Sequence, residues 1–415
     1  MRTLSGVALV LTAGCGESDN AGGLIVTSLP GEARLAASLV YQNRRSLALK
    51  AGNAEVAMVW PAASIGGGTQ IVAQVLDRTL AEVGDRVNVS GPSGRSLVQP
   101  AACRNSSAWV AAWSDIVPAE LLPSGVTLDR TNVWASSSWS SGVSPATTDR
   151  VNLNVIGDQL DPEIACSSDG HRVITWSNSC VAVQRIGQGF FHFKPEECET
   201  EPADGAWLQA FDENGKTISE MSAISSGVGR RAPVAAIDSG RFVVLAGSTI
   251  QVRSSNGELE EERMVEDVDF STASLSCAGR YCAASVTGDL LRVWLIDAEA
   301  LGSIATVTLA ATSEPEPNHH LLPVDSDLAC APTGTCLATW LLRREITDND
   351  VIFTESEGVY ARAFDVRTGR LGPEVRILDP MDAEEGVIVA SQGDGLFATA
   401  RVSGDDIVLG QVEVR

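Results

Sequence analysis

Apolar and polar residues alternate along most of the chain in short runs, and the runs recur in one setting. Ala102-Cys103 through Trp113, Ala165-Cys166 through Trp176 and Ala329-Cys330 through Trp340 each set a cysteine ten positions before a tryptophan. Between them lies a polar or glycine-bearing turn, then a strand: Val110-Ala111-Ala112-Trp113, Val173-Ile174-Thr175-Trp176 or Leu337-Ala338-Thr339-Trp340. A period of two broken by tight turns predicts β-hairpins packed between stacked sheets. Weaker copies fit the same frame. Lys50 to Trp60 keeps the tryptophan, and Ala236 to Ala246 keeps a turn at Asp238-Ser239-Gly240. Cys277 to Cys282 keeps the cysteines with one residue fewer, and Ala390 to Ala400 keeps a turn at Gly393-Asp394-Gly395. Seven copies therefore start at 50, 103, 166, 236, 277, 330 and 390, in units of 41 to 70 residues.

A third strand follows each hairpin and ends in a turn. It is clearest at Trp207 to Gly215 and Val359 to Gly369, and weaker at Val72 to Asp77, Ile250 to Arg253 and Leu291 to Asp297. No segment carries a long helical period. Repeats of three or four strands predict an all-β fold, a seven-bladed β-propeller, with tandem β-sandwiches as the alternative. The Phe-Asp-x-x-Thr-Gly ending at Phe364 to Gly369 resembles the third strand of pyrroloquinoline-type propeller repeats, without the tryptophan that follows it there. The seventh unit offers three strands, near Val387 to Ala390, Leu396 to Val402 and Ile407 to Val414. The apolar run Leu24 to Leu29 has no partner in its own neighbourhood, so it is expected beside the last of these, closing a ring from both ends of the chain.

The N-terminus is an address. Met1-Arg2, the apolar stretch Leu4 to Thr12 and the small residues Ala13-Gly14 form an export signal. Leu11-Thr12-Ala13-Gly14-Cys15 resembles the lipobox of bacterial lipoproteins. That resemblance implies a signal peptide over 1–14, diacylglycerol on the Cys15 thiol and, with Gly16 rather than Asp following, sorting to the outer membrane. Residues 15–23 then read as a polar tether and 24–415 as a single propeller domain. The resemblance is to lipoproteins with propeller domains in Gram-negative-type envelopes.

Charge narrows the partners. The formal net charge is −23, and only Lys50, Lys194 and Lys216 are lysines. So acidic a surface repels phosphate backbones, which excludes nucleic acid. The membrane is expected to be met through the lipid anchor alone, and the partner is expected to be a protein or glycan. Without Cys15, eight cysteines remain. Cys277 with Cys282 and Cys330 with Cys336 each flank one tight turn, so their Cβ atoms can face across paired strands. Cys180 and Cys198 bracket an irregular segment, as a loop staple does. Cys103 and Cys166 occupy equivalent places in consecutive units; their redox state is left open, the expected separation of neighbouring units arguing for free thiols.

No motif carries catalysis. There is no HExxH, P-loop, dinucleotide glycine pattern or nucleophile elbow, and Gly91-Pro92-Ser93-Gly94 reads as a turn. Ser167-Ser168-Asp169-Gly170 lacks the residue an Asp-box sets between Asp and Gly. His319-His320 near Glu314 and Glu316 reads as a solvated loop rather than a metal site. Neither catalytic residue, cofactor nor metal is therefore assigned. One loop stands out: Phe190, Phe191, His192 and Phe193 put three of the nine phenylalanines inside the expected Cys180–Cys198 staple. Exposed aromatics mark contact sites, so these four are the candidate contact residues. The connections after the second strand are long in units two, three and six and are expected to be loops on one face. The reading is a non-catalytic binding or assembly scaffold of the cell envelope. The alternative is an extracytoplasmic hydrolase or lyase with an acidic site at the channel mouth.

Overall fold

The computed structural model describes residues 24–39, 46–52, 55–64, 67–91, 96–105, 108–121, 127–151, 158–179, 182–186, 189–193, 204–226, 231–237, 240–301, 304–311, 319–348, 351–380 and 386–415. Over these residues the fold is all-β, with helical backbone confined to short 3-10 turns such as Phe270–Thr272. Seven antiparallel sheets follow one another along the chain. Each begins at an expected hairpin. Their first strands are Ala48–Ala51, Ser96–Arg104, Asp158–Cys166, Val234–Ala236, Ser274–Ala278, His319–Cys330 and Ile388–Gly393. We number the sheets I to VII in that order. The expected third strands are present as Thr69–Asp77, Gly205–Phe211, Thr249–Arg253, Leu290–Asp297 and Val351–Asp365.

The first strand of every sheet lies against the first strands of the sheets before and after it, and that of VII lies against that of I. Burial follows from this. Second strands are buried almost from end to end, as in Arg172–Ser179 and Phe242–Ala246. Fourth strands are the most exposed, and Leu259–Met264 faces water at five of its six positions. A separate core fills each of the seven gaps between consecutive sheets, including the gap between VII and I. The repeated tryptophans are the filler: Trp60, Trp113, Trp176 and Trp340 each pack into the gap toward the preceding sheet, at most 2% exposed. This is a propeller-like arrangement, not the two facing pairs of a tandem sandwich.

Sheet VII is completed from the other end of the chain. Val26–Ser28 pairs antiparallel with Asp406–Val414, Val26 opposite Val414. Ile25 and Arg415 exchange backbone hydrogen bonds of 2.8 and 3.0 Å. A second short strand, Ala33–Ala36, pairs with the other half of Asp406–Val414, Ala33 opposite Leu409. The backbone of Leu24 comes so close to the fourth strand of VI that a Cβ on Gly372 would stand 2.3 Å from the Leu24 carbonyl oxygen.

The third strands of I, III and VI run into an aspartate whose carboxylate builds the next turn. Asp365 Oδ1 accepts the amides of Arg367 and Thr368 at 3.0 and 2.8 Å. Asp212 does the same for Asn214 and Lys216. Asp77 Oδ1 accepts the Thr79 hydroxyl and the amides of Ala81 and Thr79, and these bonds hold its pKa below the usual carboxylate value. Such side-chain turns explain why the strands stop where they do.

Two expected loops are not loops. The connection after the second strand of II is a ribbon formed by Trp109–Leu121 and Thr127–Ser136, and that of VI is formed by Thr335–Asp348 and Val351–Asp365. In both, the ladder of the second and third strands continues beyond the rest of the sheet. In III the same connection contains a hairpin, Ala182–Ile186 with Gly189–Phe193, which among the described residues pairs with no other strand.

Candidate functional site: the central channel

A cavity of about 780 Å³ lies where the seven first strands converge, and every sheet contributes to its wall. Its shape is set by three bulges. In II, III and VI the first strand carries one extra residue, between Val98 and Ala101, Leu160 and Glu163, and Val324 and Asp327. The leading bulge residues Gln99, Asp161 and Asp325 have φ of 53°, 50° and 50°. The left-handed region suits Asn and Asp better than most residues. In II and III the second bulge residue is Pro100 or Pro162, which has no N–H to leave unpaired. The residue left opposite each bulge is the repeat tryptophan, Trp113, Trp176 or Trp340.

The bulges bring charged and amide groups to the channel wall, where most of them tie sheet to sheet. The Gln99 side-chain N–H donates to Asp161 Oδ1 at 2.7 Å, and the Asp161 amide donates back to Gln99 Oε1 at 3.0 Å. Arg231 Nε donates to Glu163 Oε1 at 2.7 Å, with Nη2 on the same oxygen, while Nη1 reaches the Ala273 carbonyl at 3.4 Å. Ser274 Oγ donates to the Ser326 carbonyl at 3.2 Å, and the Val389 amide donates to Asp327 Oδ2 at 2.9 Å. Nearer the rim, Arg78 pairs with Asp394 at 3.1 Å across VII and I, and Arg104 with Glu55 at 2.9 Å across II and I. Side-chain ties thus run around the whole circle. Arg231 sits at their centre with 31% of its side chain still accessible. Burial opposes its charge, but Glu163, Asp161 and Asp327 outweigh that and hold its pKa above the ordinary guanidinium value.

Cys277–Cys282 and Cys330–Cys336 are disulfides between directly opposed residues, with Cα atoms 4.0 Å apart in each. The expectation for Cys103 and Cys166 is corrected: they are bonded to each other, Cα to Cα 5.6 Å, across the gap between II and III. First strands converge on the axis, so equivalent positions there are closer than anywhere else between neighbouring units. Disulfides of this kind persist in oxidising compartments, which makes the described domain extracytoplasmic. Among the described residues no helix is long and apolar enough to cross a membrane.

Cys15, Cys180 and Cys198 lie outside the described residues. Phe190, Phe191, His192 and Phe193 form one strand of the separate hairpin in III, His192 opposite Val183, and the hairpin's other strand approaches the third strand of II. His319 and His320 begin the first strand of VI, opposite Ile346 and Glu345. Among the described residues no group of three His, Cys, Asp or Glu is placed to hold a metal ion. The residues that line the channel were not singled out from sequence. The signal for them was the recurrence of Val98-Gln99-Pro100, Leu160-Asp161-Pro162 and Val324-Asp325-Ser326 just ahead of the repeated cysteines.

Comparison with protein families and with curated proteins found no match. Among solved structures the chain is similar to a protein of unknown function from Dyadobacter fermentans DSM 18053, at 12% identity and TM-score 0.41, over 93% of this chain and 100% of that one. It is also similar to a chain of a mitotic checkpoint complex, at 10% identity and TM-score 0.44, over 98% of each chain.

Proposed function

We propose that the protein is a lipid-anchored, seven-bladed propeller of the outer membrane that works as a binding or assembly scaffold without catalysis. The observation that carries this reading is the use made of the channel carboxylates. A hydrolase or lyase needs carboxylates free to take or give a proton. Here three of the four are taken up, Glu163 by Arg231, Asp161 by Gln99 and Asp327 by the Val389 amide, which leaves Asp325 without a second free carboxylate to share acid and base roles. The three ties close a rigid ring, as a scaffold requires. The hydrolase alternative draws on the same wall, since four carboxylates converge there.

The contact face on this reading is the channel mouth, where the ribbons of II and VI and the hairpin of III arise from equivalent connections. Phe353 on the VI ribbon is 53% exposed, and a protein or glycan partner would meet it. The anchor is Cys15, supported by the lipobox-like run that ends on it. Detergent phase partition of wild type and Cys15→Ser tests the anchor, the variant being expected in the aqueous phase. Retention of a partner from solubilised envelopes is expected to be lost when residues 346–353 are trimmed and kept in Asp161→Asn. Retention that survives the trimming refutes the contact face. Turnover of a peptide or glycan that Asp161→Asn abolishes establishes the hydrolase instead.

A further inference from the structure

Three charged groups on the channel wall stand outside the network of ties. Lys50 in sheet I and Asp325 and Arg343 in sheet VI line the cavity, and their side chains make no hydrogen bond or ion pair with any described residue. Every other charge on that wall has a partner. Lys50 is also one of only three lysines in a chain of net charge −23, so a cation here is not drawn from a general surplus. Asp325 leads its bulge with a left-handed φ of 50° and lines the cavity there.

The wall also limits what can bind. Among the described residues no Trp, Tyr, Phe or His lines it, so these offer no face on which a sugar ring or nucleobase can stack. Its uncharged lining mixes short aliphatic groups such as Ala101, Val234 and Leu275 with the hydroxyls of Ser274 and Thr287. A volume of about 780 Å³ lies in the range of small-molecule sites and exceeds the needs of a single amino acid. Free groups of both signs, facing one cavity, match a ligand that carries both signs.

We propose that the channel binds a small zwitterion of the short-peptide class, its ammonium on Asp325 and its carboxylate on Arg343 and Lys50. The guanidinium fork of Arg343 suits a carboxylate, which it can engage through two parallel N–H donors. Asp161, Glu163 and Asp327 surround the single cation Arg231, so their surplus negative charge adds to the field that favours the ammonium. This inference rests on the propeller-scaffold reading above and gives its channel a ligand.

Calorimetric titration of the full exported chain with trialanine, N-acetyl-trialanine and trialanine amide tests it. Trialanine is expected to bind, and either cap to weaken binding about tenfold or more, a loss of one charged contact. Asp325→Asn, whose new side chain tolerates the left-handed backbone, is expected to weaken trialanine about tenfold while leaving the weak N-acetyl-trialanine binding unchanged. Arg343→Gln is expected to do the same with trialanine amide as the indifferent ligand. Absence of heat with trialanine, equal binding of the capped forms, or losses that do not follow these pairings overturns the proposal. So does equal binding of putrescine or succinate, which would leave a ligand of one sign. Anchoring and partner retention are measured apart, and they survive if only the zwitterion assignment fails. Cleavage of bound trialanine, read by mass spectrometry, overturns the non-catalytic reading and leaves the channel assignment standing.

Discussion

Replacing Val26 by alanine removes two methyl-sized groups from the strand that closes sheet VII. Val26 is 6% exposed and packs with Phe397, Val412 and Val414 in the core between VI and VII, beside Ala361 and Ala363. At about 0.8 kcal/mol per buried carbon the transfer loss is about 1.6 kcal/mol, and the unfilled space brings the total to about 2 kcal/mol. The neighbouring Ile25 is an internal control. Its backbone exchanges hydrogen bonds with Arg415, but its side chain is 57% exposed, so Ile25→Ala is expected to cost no more than about 0.5 kcal/mol. Urea unfolding followed by tryptophan fluorescence measures both. Hydrogen exchange adds a local readout, because the amides of Leu29 and Arg415 donate across the seam at 2.9 and 3.0 Å and are expected to lose protection in Val26→Ala first. If the two variants cost the same, or if seam exchange is unchanged in Val26→Ala, the closing strand does not hold the ring and the argument for closure by both chain ends is wrong.

Breaking the channel tie by Arg231→Met leaves Glu163 without its cation in a partly dehydrated site and is expected to cost about 1–3 kcal/mol; removing both partners together should cost less than the sum of the singles in a double-mutant cycle by urea unfolding. The Cys103–Cys166 bridge closes 63 residues and Cys277–Cys282 only 5, so the chain-entropy account assigns about 4 and about 2 kcal/mol; equal losses in Cys103→Ser and Cys277→Ser would show that the bridge between II and III acts other than by restraining the unfolded chain.

Much of the ring was legible because a repeat tests one pattern seven times. Alternation and polar or glycine-bearing turns marked all seven hairpins, and an unpartnered apolar run at Leu24 to Leu29 pointed to the seam. These are local signals, each decided within about ten residues by pleat and turn chemistry. The channel was not legible for the opposite reason. Glu163 and Arg231 are 68 residues apart and Gln99 and Asp161 are 62 apart, and nothing in local periodicity links them. The bulges that aim these residues depend on a single added residue per strand, which shifts register without changing composition. The state of Cys103 and Cys166 was left open because equivalence between units was read as distance between units, although strands nearest an axis are the ones that crowd.

That crowding connects the covalent and the ionic parts of the molecule. The outer strands diverge and face water, so they can contribute little to keeping neighbouring sheets in register. The first strands converge, and it is there that the disulfide between II and III, the Gln99–Asp161 pair, the Glu163–Arg231 pair and the Asp327–Val389 bond are found. Each polar tie costs desolvation and returns little net stability, about 0.5–1.5 kcal/mol for a neutral hydrogen bond. What each adds is direction: an apolar core between two sheets tolerates sliding, whereas a donor and acceptor fixed on opposite sheets do not. A ring whose registers are fixed at the axis holds the cavity wall at constant shape. Lys50, Asp325 and Arg343, the charges that no tie consumes, are therefore kept at fixed places facing that cavity.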